Sequence, residues 1–198
     1  MKYIIIFLLF IFVPNVLAEA YCALRDPVAQ IKLLYPTKSN QLSIVKEINE
    51  GVRQQVKVAL PNNDLHFGEL GKHTLYVVLQ QQTRLGYIHV RSEQSKWGLV
   101  EIIWAIDEDY RIKDFAFQRC RSPKKKLIDN QAFKNMFIGK NLAQLKEYLN
   151  KDGITANQKL LAAVPNAPEL SNVVLRCALK TLLLTQLVWK DELENTLK

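Results

Sequence analysis

Residues 74–120 read TLYVVLQQQTRLGYIHVRSEQSKWGLVEIIWAIDEDYRIKDFAFQRC. Four β-rich runs follow one another here, at 74–81, 85–92, 97–106 and 111–120, with polar turns between them. Valine, isoleucine and aromatic side chains bounded by turn residues mark strands, and short connections make successive strands antiparallel. The stretch predicts an antiparallel β-meander. Its third run places Gly98, Val100, Ile102, Trp104 and Ile106 on one face and Leu99, Ile103 and Ala105 on the other. Both faces are apolar, so this strand is expected inside a sheet covered on both sides. Glu101 is the exception, and it belongs either at a sheet margin or beside a basic neighbour such as Arg91. In the fourth run Phe115 and Phe117 share a face suited to helix packing. The acidic turn at 107–110 lacks the glycine and distal glutamate of a calcium loop and reads as a solvated hairpin.

Upstream of the meander, Asp26 and Pro27 are a cap and first position for a helix carrying Val28, Ile31 and Leu34, ended by Pro36. A second helix is expected over 41–59, where Val45, Ile48, Val52 and Val56 form a stripe opposite Lys46, Glu47, Glu50, Arg53 and Gln54. The turn cluster at 61–64 and the glycines Gly68 and Gly71 lead into the meander. Downstream, 130–137 and 141–149 predict short helices, the second stopped at Gly153. A long helix over 170–191 follows, with Ser171 or Asn172 as its cap. Val174, Cys177, Ala178, Thr181, Thr185 and Val188 form one stripe, and Leu179, Leu183 and Leu187 a second. Arg176 and Lys180 interrupt the apolar run, which argues against a membrane span. Two stripes imply that the helix packs on the sheet and on something else, either the N-terminal helices or a partner. The fold class is α+β: a meander over about 74–120, N-terminal helices and a long C-terminal helix.

The chain opens MKYIIIFLLFIFVPNVLAEA. One lysine, an apolar run too short to span a bilayer, a proline and then small residues at Ala18 and Ala20 are the layout of a cleaved export signal. Residues 1–20 are therefore expected to be signal, and 21–198 a single domain. The formal charge of +8 includes Lys2, so cleavage after Ala18 leaves +7. A basic exported protein fits anionic lipid or an acidic or membrane-associated protein partner, and outside the cytoplasm nucleic acid is not an expected target. Cys22, Cys120 and Cys177 remain, and an oxidising compartment would pair two of them. Cys177 lies on an apolar helical stripe, whereas Cys22 and Cys120 have polar surroundings. Their settings favour Cys22–Cys120 with Cys177 free, closing a long loop worth about 4 kcal/mol in the chain-entropy picture.

Arg119, Arg121, Lys124, Lys125 and Lys126 are the densest basic cluster, suited to a phosphate or an acidic partner, or simply to water. His66, His73 and His89 lack metal-ligand spacing. No nucleophile elbow, phosphate loop, dinucleotide fingerprint or Cys-x-x-Cys pair is present. No catalytic motif marks the chain as an enzyme, and no metal is expected.

The order Leu85-Gly86-Tyr87-Ile88, then 99–109 with Val100-Glu101-Ile102 and Asp107-Glu108-Asp109, then 111–117, resembles the FMN-binding domain family. That family includes flavin-carrying extracytoplasmic subunits of ion-pumping respiratory oxidoreductases. The segment 133–140 resembles its Phe-x-x-x-Phe-x-Gly-Lys region. In the family a Ser-Gly-Ala-Thr motif opens the last helix, and its threonine can carry FMN as a phosphoester. Here that motif is Ser171-Asn172-Val173-Val174, so the linking hydroxyl is replaced by valine. The family's Glu-Thr-Pro-Gly turn reads Arg119-Cys120-Arg121-Ser122-Pro123. The resemblance implies an exported binding or assembly protein that has lost covalent flavin, or an electron-transfer protein holding FMN non-covalently. In the second case the phosphate would sit near Ser171 and Asn172 at the helix start, with Arg119 and Arg121 adding charge, and Trp97 or Trp104 would flank the ring.

Overall fold

The computed structural model describes residues 27–195. The expectations for the signal, the Asp26 cap and Cys22 fall outside them. Five antiparallel strands lie side by side in chain order: β1 (Asn40–Ile48), β2 (Gly71–Gln80), β3 (Thr83–Ser95), β4 (Gly98–Ile106) and β5 (Ile112–Arg119). The helices are α1 (Val28–Leu34), α2 (Glu50–Ala59), α3 (Lys125–Ile128), α4 (Gln131–Lys134), α5 (Leu142–Lys146), α6 (Gln158–Leu161), α7 (Pro168–Leu184) and α8 (Lys190–Asn195). A 3₁₀ turn, Phe67–Glu69, precedes β2, and a π-helical turn, Thr185–Trp189, joins α7 to α8. The class is α+β, and β2 to β5 are the four runs read from the sequence.

The expected helix over 41–59 is half strand. Asn49 divides it, with its side chain capping α2 by accepting from the Val52 amide at 3.0 Å. Everything before Asn49 pairs with β2, from Asn40 opposite Leu79 to Ile48 opposite Gly71. The buried residues of β1 are Ile44 and Ile48. Their spacing of four fits both a strand and a helix, because four is even and also close to 3.6. Val45, a member of the expected stripe, is 56 % exposed.

β4 is covered on both faces. Val100, Ile102, Trp104 and Ile106 join the main core beneath α7, while Ile103 and Ala105 join a smaller core with Ile31, Leu34 and Tyr35 of α1 and its end. Tyr35 ties this second layer down by donating its hydroxyl to the Ile106 carbonyl at 2.8 Å. That approach requires glycine at 86, whose φ is +135°; a Cβ there would lie 2.3 Å from the Ile106 oxygen and 2.5 Å from the Tyr35 hydroxyl.

α7 lies on β3 and β4, and α2, α3, α5 and α6 pack against it. Leu179 and Leu183 of the second stripe are buried, and Leu187 is exposed. By length and composition Pro168–Asn195 could cross a membrane, yet 72 % of its most apolar window is buried inside the protein. The helix start also differs from expectation. Ala167 is the N-cap and Pro168 the first helical residue, so Ser171 lies within the helix, with its hydroxyl donating to the Ala167 carbonyl at 3.0 Å. Thr181 and Thr185 likewise donate back to the carbonyls four residues earlier, a pattern that loosens helix geometry just where the π turn begins. At the end of that turn Trp189 donates its indole N–H to the Ile44 carbonyl of β1.

Candidate functional site

β3 alternates Tyr87, His89, Arg91 and Glu93 on the face beneath α7. Polar residues on a sheet's buried face need partners, and here α7 and the 3₁₀ turn supply them. Arg176 and Lys180 are one helical turn apart and so share a face of α7. Lys180 Nζ stands 3.1 Å from Glu69 Oε2 and 3.0 Å from Glu93 Oε2. Arg91 reaches Glu69 Oε1 at 2.6 Å, and Arg176 Nε reaches Glu93 Oε1 at 3.2 Å. The result is a continuous chain of alternating charge: Arg91, Glu69, Lys180, Glu93, Arg176.

Both central groups stay ionised. Burial alone would raise the Glu69 carboxyl, but Arg91 and Lys180 outweigh it, with help from the His66 amide, and hold it below the ordinary carboxylate value. Burial would lower Lys180, and Glu93 and Glu69 instead hold it above the usual lysine value. The histidines beside the chain are neutral. Burial, then the charge of Arg91, pulls His73 down to about 4; its Nε2–H donates to the Glu69 carbonyl, and Nδ1 faces Arg91. His89 lies well below its ordinary value for the same two reasons. His89 Nδ1 lies 2.9 Å from the Thr185 hydroxyl, which itself lies within hydrogen-bond distance of the Thr181 carbonyl. His89 Nε2 has no hydrogen-bond partner among the described residues. Cys177 packs next to Trp104, whose N–H points at its sulfur, and burial followed by Glu93 pushes the thiol up to about 12. Such a thiol is a core group rather than a nucleophile.

The chain surfaces at one end only. Arg91 is sealed, whereas the Arg176 side chain is 20 % exposed. Arg176 lines a hollow of about 320 Å³ together with Gln94, Lys96, Trp97, Glu169 and Asn172. A second hollow, of about 250 Å³, shares Trp97 and brings in Lys124, Pro168 and Leu170. Lys96, Trp97 and Glu169 border both hollows. Lys96 pairs with Glu169 and stands 4.9 Å from the centre of the Trp97 ring. More than half of each partner in that pair is exposed, so the bar between the hollows is weak. The start of α7 has no side-chain cap, which leaves the Glu169 and Leu170 amides without an intrahelical acceptor.

The four residues expected to hold a phosphate are not gathered at one point. Asn172 lines the larger hollow, with its side-chain oxygen accepting from the Ala156 amide at 2.8 Å. Ser171 is fully buried behind it. Arg119 pairs with Glu101 at 2.7 Å, the role the sequence suggested for Arg91, while Arg121 is exposed. Neither arginine is among the residues lining the two hollows. Lys124 is the member of the basic cluster that reaches one. Of the two tryptophans considered for a ring, Trp104 is fully buried against Phe115. Trp97 borders both hollows.

No protein-family model matches this chain, and no curated protein matches it.

Proposed function

We propose that the protein is an exported, non-enzymatic binding protein that holds a small anionic ligand non-covalently in the double hollow around Trp97. One observation carries this reading: Trp97, Lys96, Lys124, Arg176 and the uncapped start of α7 converge on adjoining hollows. A ring can stack on the indole while the cations meet an acidic group, a common division of labour in ligand sites. Binding rather than catalysis suits the interior, where the thiol of Cys177 and both buried histidines are held in unreactive neutral forms.

FMN is the first ligand to test, on the strength of the family resemblance. Covalent attachment is no part of the proposal, because Val174 is fully buried and offers no hydroxyl. With FMN bound, the protein would act in electron transfer; without it, the same basic face would serve assembly with an acidic or membrane-associated partner. That second role is favoured by Arg121, Lys124 and Lys126, which are exposed in the segment bordering the smaller hollow.

The test is a fluorescence titration of the exported chain with FMN. Saturable quenching is expected, and Trp97→Phe should abolish it, with the buried Trp104 and Trp189 serving as internal reference. Acid precipitation should then leave all flavin in the supernatant. No quenching in the wild type sinks the flavin reading, and flavin in the pellet sinks the non-covalent one. Export is read from the N-terminal mass of the native protein, expected to begin at Glu19 or Tyr21.

A further inference from the structure

We infer that Arg176 recognises an oxyanion, a phosphate or carboxylate group that enters the larger hollow and completes the interior chain of alternating charges. The inference rests on the reading of the hollow as a ligand site and adds what that site selects.

Among the described residues the chain holds three cations, Arg91, Lys180 and Arg176, and two carboxylates, Glu69 and Glu93. Each carboxylate is shared between two cations, so one positive charge is left over. Buried charge is tolerated when it is compensated, and an excess is disfavoured most where water is scarce. The two ends of the chain differ in how they meet this excess. Arg91 is enclosed, and its end is occupied by Glu69 and by the ring nitrogen of His73. Arg176 holds Glu93 through Nε and touches the Gln94 carbonyl through one terminal nitrogen at 3.3 Å. Its guanidinium has five N–H groups, so donors remain on the side bordering the hollow.

The surroundings fit an oxyanion. A guanidinium fork matches the two oxygens of a phosphate or carboxylate, and such charge-assisted pairs are the stronger hydrogen bonds. The oxygen of Asn172 is committed to the Ala156 amide, so its NH₂ is the group left over for an acceptor. Glu169 is the one carboxylate bordering the hollow, and Lys96 neutralises it. An incoming anion therefore meets Arg176 without a free negative charge opposing it. Glu93 and the ligand compete for the same guanidinium, which couples occupancy of the hollow to the pairs behind it.

Phenyl phosphate, phenol and inorganic phosphate separate the parts, with binding followed by calorimetry on the full exported chain. Phenyl phosphate should bind the wild type at least about tenfold more tightly than phenol, a difference of about 1.4 kcal/mol. Arg176→Gln should bring phenyl phosphate down to the level of phenol and leave phenol unchanged. Glu93→Gln, which frees Arg176, should tighten phenyl phosphate severalfold. A purely structural role for Arg176 predicts instead that both substitutions weaken both probes, and that result overturns the inference. Equal affinity for phenol and phenyl phosphate in the wild type leaves a ring-binding hollow and removes the oxyanion site. If neither ring probe binds, the hollow reading fails, and inorganic phosphate decides the rest. An increase in Tm over chloride at matched ionic strength that is absent in Arg176→Gln keeps the oxyanion site. An equal increase in both proteins is the general effect of phosphate on folded states and ends it.

Discussion

On one side of β3, Ile88 and Val90 pack with Ile103 and Ala105 beneath α1. On the other side His89, Arg91 and Glu93 are just as inaccessible, beneath α7. The first face is held by removing apolar surface from water, an effect that accumulates side chain by side chain and asks for no particular partner. The second is held by matched charges, in which each group is tolerable only because its neighbours are present. A single strand can thus carry a forgiving face and an unforgiving one, and α7 owes its unusual mixture of leucine, lysine and threonine to lying on the latter.

The sharpest way to break this contrast is Glu69→Ala. It strands Arg91 and part of Lys180 in the interior, and a loss of about 3–5 kcal/mol is expected from chemical denaturation. The double variant Glu69→Ala with Arg91→Met should recover part of that loss, which no pair of substitutions on the α1 face should do.

The second prediction concerns pH. The folded state holds His73 near 4, while the unfolded chain titrates near 6.5, so the unfolded state binds more protons between those values. The contribution is fully present above about 6.5 and falls by on the order of 3 kcal/mol as the pH drops toward 4. His89 acts in the same direction, because its folded value is depressed as well. Glu69, depressed below 4.5, keeps its full contribution above 4.5 and loses it as the pH falls further, which adds to the decline only at the acid end. Denaturation midpoints measured from pH 7 to 4 should therefore decline, and a flat profile would contradict the neutral, buried state of both rings.

Ile103→Val, on the apolar face, should cost about 0.5–1.5 kcal/mol and should do so equally at pH 7 and pH 5. Lys96→Ala removes only the exposed bar between the hollows and should change stability by at most about 1 kcal/mol. If it changes ligand affinity more than stability, the bar belongs to the site rather than to the fold.

Much of the fold was legible because the meander repeats its signal strand after strand, and β4 in particular announces two covered faces through Ile102, Ile103 and Trp104. β1 was not, since Ile44 and Ile48 satisfy two periods at once and only the capping by Asn49 separates strand from helix. The site was less legible. Arg176 and Lys180 were visible as breaks in an apolar helix, and His89 and Arg91 stood in the run at 85–92, but that run stopped short of Glu93, which β3 includes. Nothing local says that these two rows face each other, and Glu69 sits in a short turn with no signal of burial. Ser171 and Asn172 look like caps because serine and asparagine usually are, but the preceding Pro168 had already begun the helix. Val188 was placed on the first stripe by counting onward at 3.6; it is only partly buried, and the fully buried positions are Trp189 and Leu193.

That last displacement has a consequence for how the chain can change in length. A π-helical turn is one residue of slack taken up inside a helix, so the segments on either side keep their facing while the count between them grows by one. Removing one residue from 186–188 would let the turn relax to ordinary α geometry, with Trp189 still directed at β1. The same deletion between 174 and 181 would have no slack to consume, and would rotate every later side chain by about 100° around the axis. The helix is therefore tolerant of a shortened sequence at one point along its length, and that point lies just beyond the last residue it contributes to the charged interior.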